Sequence, residues 1–192
     1  RECVKAQGRK NFYDINTGIC HQVLPEKGYC RPGEVLVGTD SHTTTHGAFG
    51  TFSTGIGATE MAAVWATGKL WMMVPESFKV VVKGKMPDGV YSKDLILHLI
   101  GKLGADGADY RSVEFVGETI DAMSIASRMV LTNLSMEMGA KAAMIPPDQK
   151  TIDYVKSVTS KPFEVVLPDP DAVYARVIDI DVTNLEPQIA CP

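Results

Sequence analysis

GEVLVGTDSHTTTHGAFGTFSTGIGATEMAA, residues 33–63, is the stretch whose reading decides the fold. Its short apolar run, Val35-Leu36-Val37, leads into Asp40, Ser41 and His42, a carboxylate, a hydroxyl and an imidazole on consecutive residues, with further hydroxyl side chains and glycines behind them. A buried strand followed by a polar Gly-rich loop and a helix is where open α/β sheets place their ligands, outside the carboxyl ends of the strands. The segment therefore reads as an active-site loop. Its glycines, Gly47, Gly50, Gly55 and Gly57, let the backbone approach a neighbour or a ligand closely.

On either side the chain alternates strand and helix signals, which means an α/β layer structure. Upstream, residues 1–10 read as the tail of a helix ending at Gly8, and Asn11 to Ile15 as a short strand. Thr17 to Pro25 is an apolar segment interrupted by His21 and Gln22, polar groups that need partners or a cavity if buried. Downstream, Thr59 to Lys69 reads as a helix, and Pro75 marks a domain boundary separating 1–75 from 76–192. Beyond it come a strand at Phe78 to Lys83, a helix from Ser92 to Leu103 with His98 beside its apolar stripe, and a strand at Arg111 to Val116. A helix from Ser124 to Met138, a strand at Lys141 to Ile145, a helix from Gln149 to Val158 and an alternating strand over Tyr174 to Val182 complete the pattern.

Several chemistries are weakened by the residues themselves. Asp40-Ser41-His42 has the residue types of a hydrolase triad, but triad members converge from separate positions, and Ser41 lies in no G-x-S-x-G elbow. Gly55-Ile56-Gly57-Ala58-Thr59-Glu60 carries two glycines of a dinucleotide fingerprint with Glu60 in the third place, and no convincing strand leads into it, so close helix packing is the better account. A histidine oriented by a carboxylate from elsewhere in the fold is the more plausible use of the loop. Glu137 is a second candidate carboxylate, four residues after Asn133 and on the same helix face. At a helix C-terminus its charge opposes the dipole, so something local should compensate it, although spacing alone favours a solvated helix-end glutamate.

Composition narrows the classes further. The 192 residues are 45% hydrophobic, enough for a core, and the formal net charge of −4 with scattered Lys and Arg gives no nucleic-acid footprint. No apolar stretch approaches a membrane span and no secretory leader is evident, so a cytoplasmic protein is expected. Cys3, Cys20, Cys30 and Cys191 lack C-x-x-C spacing and read as reduced structural thiols.

Three segments in this order, Gly18-Ile19-Cys20-His21-Gln22-Val23, Gly38-Thr39-Asp40-Ser41-His42-Thr43 with its Gly-rich run, and Asn133 to Ala140 (NLSMEMGA), resemble the aconitase superfamily over nearly the whole chain. The resemblance is strongest to the large subunits of 3-isopropylmalate dehydratase and of methanogen-type homoaconitase. It implies aconitase-like three-layer αβα domains, here a fragment holding the rear part of domain 1 and domain 2. It also implies a hydro-lyase that moves a hydroxyl between adjacent carbons of a di- or tricarboxylic acid, first of all 3-isopropylmalate in leucine biosynthesis. Homoaconitase and dimethylmalate dehydratase remain open within the class, and a non-catalytic α/β assembly module is the alternative outside it. By the same resemblance His21 pairs with Asp40 and His42 with Glu137, Ser41 touches substrate, and Asn133 lies near a 4Fe-4S cluster or its ligands. The cluster cysteines, substrate-binding arginines and catalytic serine of the family are not matched here, and the Ile-Ala-Cys-Pro context of Cys191 fits no cluster motif. This piece alone is therefore expected to hold no metal and to be inactive, the full protein working with a small subunit that carries a swivelling domain.

Overall fold

Two parallel sheets carry the chain in the computed structural model, which describes residues 1–191. Helix α1 (Glu2–Ala6) and helix α2 (Cys20–Glu26) precede strand β1 (Val35–Gly38). A 3-10 helix, Ser41–Phe49, then crosses to strand β2 (Phe52–Gly55), which lies parallel to β1 with Val35 opposite Phe52 and Gly38 opposite Gly55. Helix α3 (Ala58–Thr67) follows and buries none of its residues. The second sheet is built from β3 (Ser77–Lys83), β4 (Ser112–Val116), β5 (Ala142–Met144) and β6 (Arg176–Asp181), in the order β5-β4-β3-β6. Between these strands run α4 (Ser92–Leu103), α5 (Glu118–Ala122), α6 (Ile125–Leu134) and α7 (Gln149–Val158).

Local sequence explains most of these elements. In β3 the alternation of Phe78, Val80 and Val82 with Lys79 and Val81 buries the first set, and Val113, Phe115, Ile178 and Ile180 join it from the neighbouring strands. Helix α4 covers this core with Leu95, Ile96 and Leu99. Its N-terminus is closed by Asp94, whose Oδ2 accepts the Tyr91 N–H at 2.8 Å, so Ser92 is the first helical residue and not the cap. Helix α6 starts at Ser124, whose hydroxyl accepts the Ser127 N–H at 3.2 Å.

Three expectations are corrected. Asn11 to Ile15 forms no strand; Asp14 closes a turn there, its carbonyl accepting from the Thr17 hydroxyl. A strand, β2, does lead into Gly55-Ile56-Gly57; its Phe-Ser-Thr-Gly sequence hides it, because the buried positions are the polar Ser53 and Thr54. The helix expected over Ser124 to Met138 ends as α-helix at Leu134 and tightens into a 3-10 turn, Ser135–Met138, that Gly139 terminates with φ 84°.

The first 3-10 helix is polar yet buried, and its periodicity explains how. Thr43 Oγ1 donates to the Asp40 carbonyl (2.6 Å), Thr45 Oγ1 to the His42 carbonyl (2.6 Å) and His46 Nδ1 to the Thr43 carbonyl (2.9 Å). Each side chain thus satisfies a carbonyl three residues back, the spacing at which 3-10 residues eclipse. The segment packs on α6, where the Thr132 hydroxyl donates to the Thr45 carbonyl at 2.8 Å, and on β5, where the Ile145 N–H donates to the Gly47 carbonyl at 3.0 Å. A Cβ at Gly47 would stand 1.6 Å from the Ala143 carbonyl oxygen, so only glycine permits this crossing. Gly47→Ala is expected to destabilise the protein by about 1–3 kcal/mol or more, read as a lowered urea midpoint at unchanged m-value.

Candidate active site

Asp40 stands at the joint between β1 and the 3-10 helix, where one carboxylate oxygen serves two segments. Its Oδ1 accepts the His42 backbone N–H at 2.8 Å, capping the 3-10 helix, and lies 3.1 Å from His21 Nε2 on α2. His42, next but one in sequence, turns its ring the other way, with Nε2 2.9 Å from Glu137 Oε1 in the second 3-10 turn. Two imidazole–carboxylate couples therefore meet at Asp40, drawn from three elements. His42 has φ −84° and ψ 18°, the bridge region in which many active-site residues sit.

The partners fix the tautomers. A carboxylate only accepts, so Nε2 of each imidazole carries the proton. His42 Nδ1 is then free to accept from the Ser41 hydroxyl at 3.1 Å, and His21 Nδ1 faces the Cys20 thiol at 3.6 Å. Burial first, and the charge of Asp40 second, push the Cys20 thiol above its ordinary range, which keeps it protonated and able to donate. Both couples remain open to solvent: the side chain of Glu137 is 54% exposed and that of Asp40 48%, against 14% for His21. A ligand could reach both acids.

Asn133 reaches the same place from α6. Its Nδ2 donates to Thr45 Oγ1 at 2.8 Å, and Thr45 in turn donates to the His42 carbonyl, so α6 and the loop are tied side chain to side chain. Ser41 also opens onto a neighbouring cavity of about 340 Å³, lined with Thr54, Gly57, Tyr110, Met136 and Lys141. There Lys141 Nζ donates to the Gly55 carbonyl at 3.3 Å and lies 5.5 Å from the centre of the Tyr110 ring. All six residues singled out in the sequence, His21, Asp40, Ser41, His42, Asn133 and Glu137, gather in this region.

Two contributors escaped the sequence reading. Thr45 was one of three consecutive threonines with nothing to mark it, and His46 was hidden in the same run. His46 is fully buried; its ring lies parallel to that of His21, centroids 6.0 Å apart and planes 8° apart. Burial pushes its pKa below the usual imidazole range, against the pull of the Thr43 carbonyl. The signal that could have found both is the three-residue spacing Asp40, Thr43, His46 and His42, Thr45, which is the 3-10 repeat.

Over all 192 residues the sequence is similar to a probable 3-isopropylmalate dehydratase large subunit of Methanothermobacter thermautotrophicus, 56% identical and covering 46% of that chain. A probable methanogen homoaconitase large subunit of Methanosarcina mazei is 54% identical over the same 192 residues, 49% of its length, and the 3-isopropylmalate dehydratase large subunit of Aquifex aeolicus is 47% identical over 44% of its length. Each alignment takes in 100% of this chain, which thus spans less than half the length of these relatives. The model of the aconitase family (aconitate hydratase) matches residues 1–192, and with paired histidines and acids set on a parallel α/β frame, the chain belongs to that family.

Proposed function

We propose that the protein to which this chain belongs is a hydro-lyase that dehydrates and rehydrates a hydroxy di- or tricarboxylic acid, 3-isopropylmalate to 2-isopropylmalate first of all. The observation that carries the reading is the meeting of the two couples at Asp40. Moving a hydroxyl between adjacent carbons requires a proton to be given to a departing hydroxide and taken from a returning water. A histidine held by a carboxylate can do both, because the carboxylate stabilises the imidazolium that forms. His42 holds its proton on Nε2 against Glu137 and offers Nδ1 to the Ser41 hydroxyl, so a proton arriving through Ser41 has a defined acceptor. His21, with Nε2 toward Asp40, forms the second such station, and Asp40 orients both by also holding the His42 backbone. In this reading Ser41 touches substrate, and Asn133 secures the loop close to the cluster or its ligands.

Relatives of this kind imply a 4Fe-4S cluster, and the thiols of this chain do not fit one. Cys3, Cys20 and Cys191 are exposed, while Cys30 is buried between α2 and the 3-10 helix with its thiol pushed well above the ordinary range by burial. Among the described residues no three His, Cys, Asp or Glu side chains lie close enough to hold a metal ion. The cluster in this proposal is held by cysteines elsewhere in the polypeptide. The relatives are named as large subunits, so the proposal includes a separate small subunit as partner, in a cytoplasmic enzyme. No helix among the described residues is long and apolar enough to cross a membrane.

Homoaconitase activity is kept as the second reading because relatives named for the two activities are nearly equally similar, 56% and 54% identical. The test is anaerobic assay of the full-length protein with its small subunit on 3-isopropylmalate and on homocitrate. Turnover of the first supports the main reading and turnover of the second the runner-up. Turnover of neither would overturn both. Asp40→Asn is expected to lower kcat by about 10²-fold or more on whichever acid is used, with the thermal midpoint little changed.

A further inference from the structure

The proposed chemistry uses His21 and His42 and leaves His46 without a task. Its Nδ1–H is spent on the Thr43 carbonyl, which can only accept, so the second ring nitrogen, Nε2, is a bare lone pair. That atom is buried and makes no well-formed hydrogen bond, the Cys20 backbone being the polar group that acts on the ring besides Thr43. An unpaired buried acceptor costs about 1–3 kcal/mol, which offsets much of what the Nδ1–H bond to the Thr43 carbonyl contributes. That bond alone therefore does not account for an imidazole at this position.

The reason lies in the ring beside it. His21 is fixed at its edge in two directions, Nε2 toward Asp40 and Nδ1 toward the Cys20 thiol, but edge contacts leave the ring free to rock about the line joining them. His46 lies parallel to it at 6.0 Å, within the range of offset aromatic pairs, and belongs to a different element. We propose that His46 is a positioning residue, a platform whose ring holds His21 in the plane that keeps Nε2 on Asp40, and this rests on reading His21–Asp40 as a working couple. Each atom of the imidazole then has a use. Nδ1–H closes a buried 3-10 carbonyl, the ring body supports His21, and the absence of a second proton keeps positive charge away from the imidazolium that Asp40 stabilises. Burial enforces that neutrality.

Two variants of the full-length protein with its small subunit separate the parts. His46→Asn keeps a donor for the Thr43 carbonyl and removes the ring; His46→Phe keeps a ring and removes the donor. His46→Asn is expected to lower kcat by about 10–100-fold at unchanged KM, as loss of an orienting neighbour does. It should also shift or broaden the His21 Nε2–H signal in the NMR spectrum relative to that of the wild-type protein. His46→Phe is expected to melt lower and yet, where folded, to retain more of kcat than His46→Asn. Wild-type kcat in His46→Asn would overturn the proposal, as would a rise in KM with the His21 proton signal intact, which marks a structural role. His21→Ala is the control for the underlying reading: if it retains full kcat, the His21–Asp40 couple is not catalytic and that part of the proposed function fails first.

Discussion

Replacing His42 by alanine in the full-length protein with its small subunit is expected to lower kcat by about 10²–10⁴-fold, the usual worth of a positioned general acid–base. The ring makes both contacts that define the couple, 2.9 Å to Glu137 and 3.1 Å to Ser41, so alanine removes the acceptor and leaves Glu137 nothing to orient. Glu137→Gln should cost less, about 10–100-fold, because an amide oxygen still accepts the Nε2 proton while the charge that stabilises an imidazolium is gone. The double variant is expected to be no worse than His42→Ala alone, since groups acting as a unit lose their effect together. Steady-state rates on the four proteins of this cycle decide the matter. Fully additive losses would mean that Glu137 acts independently of His42, and an unchanged rate in His42→Ala would remove the catalytic role of this couple.

How much of this was legible in the sequence follows from which interactions are local. Ser124 and Asp148 announce their helices because a cap bonds to residues three positions on, within a window a reader can scan. Phe78, Val80 and Val82 announce β3 because alternation is itself local. The strand Phe52–Gly55 was invisible because its burial comes from Thr44 and the 3-10 crossing; the Ser53 hydroxyl donates to the Thr44 carbonyl at 3.3 Å, a contact no propensity encodes. At the site, residue types gave candidates but not pairings. Asp40 is two residues from His42 and yet pairs with His21, while His42 finds its acid 95 positions away. The pairings came from the resemblance to the aconitase superfamily; the residues themselves offered only groups in need of partners, Glu137 among the candidate acids. His46 was missed because a histidine after three threonines looks like more loop; only the 3-10 repeat turns it inward toward His21.

Removing the guanidinium of Arg128 is expected to produce the largest stability loss of any single polar change, about 3 kcal/mol for Arg128→Met. Arg128 lies on α6 with its side chain 1% exposed, and it donates to both carboxylate oxygens of Asp148 and to the Asp121 carbonyl. It thus fastens the start of α7 and the end of α5 to the helix that also packs on the Ser41–Phe49 segment. Without it the Asp148 carboxylate, one-third exposed, keeps only Thr151 and partial hydration, so the loss falls toward the lower end for a broken buried pair. The pair also sets an acid limit. Arg128, then the Thr151 backbone, holds Asp148 down from 3.8 to about 2, against the opposing effect of burial. Its folded pKa is below its unfolded one, so this contribution is fully present above about pH 4 and is lost as pH falls through about 2. In urea titrations across that window, the stability gap between wild type and Asp148→Asn should be constant above pH 4 and narrow toward pH 2. Other carboxylates titrate in both proteins and cancel in the difference. A gap that stays constant to pH 2 would show that the charge on Asp148 contributes nothing, leaving its helix cap, which asparagine also supplies, as its whole role.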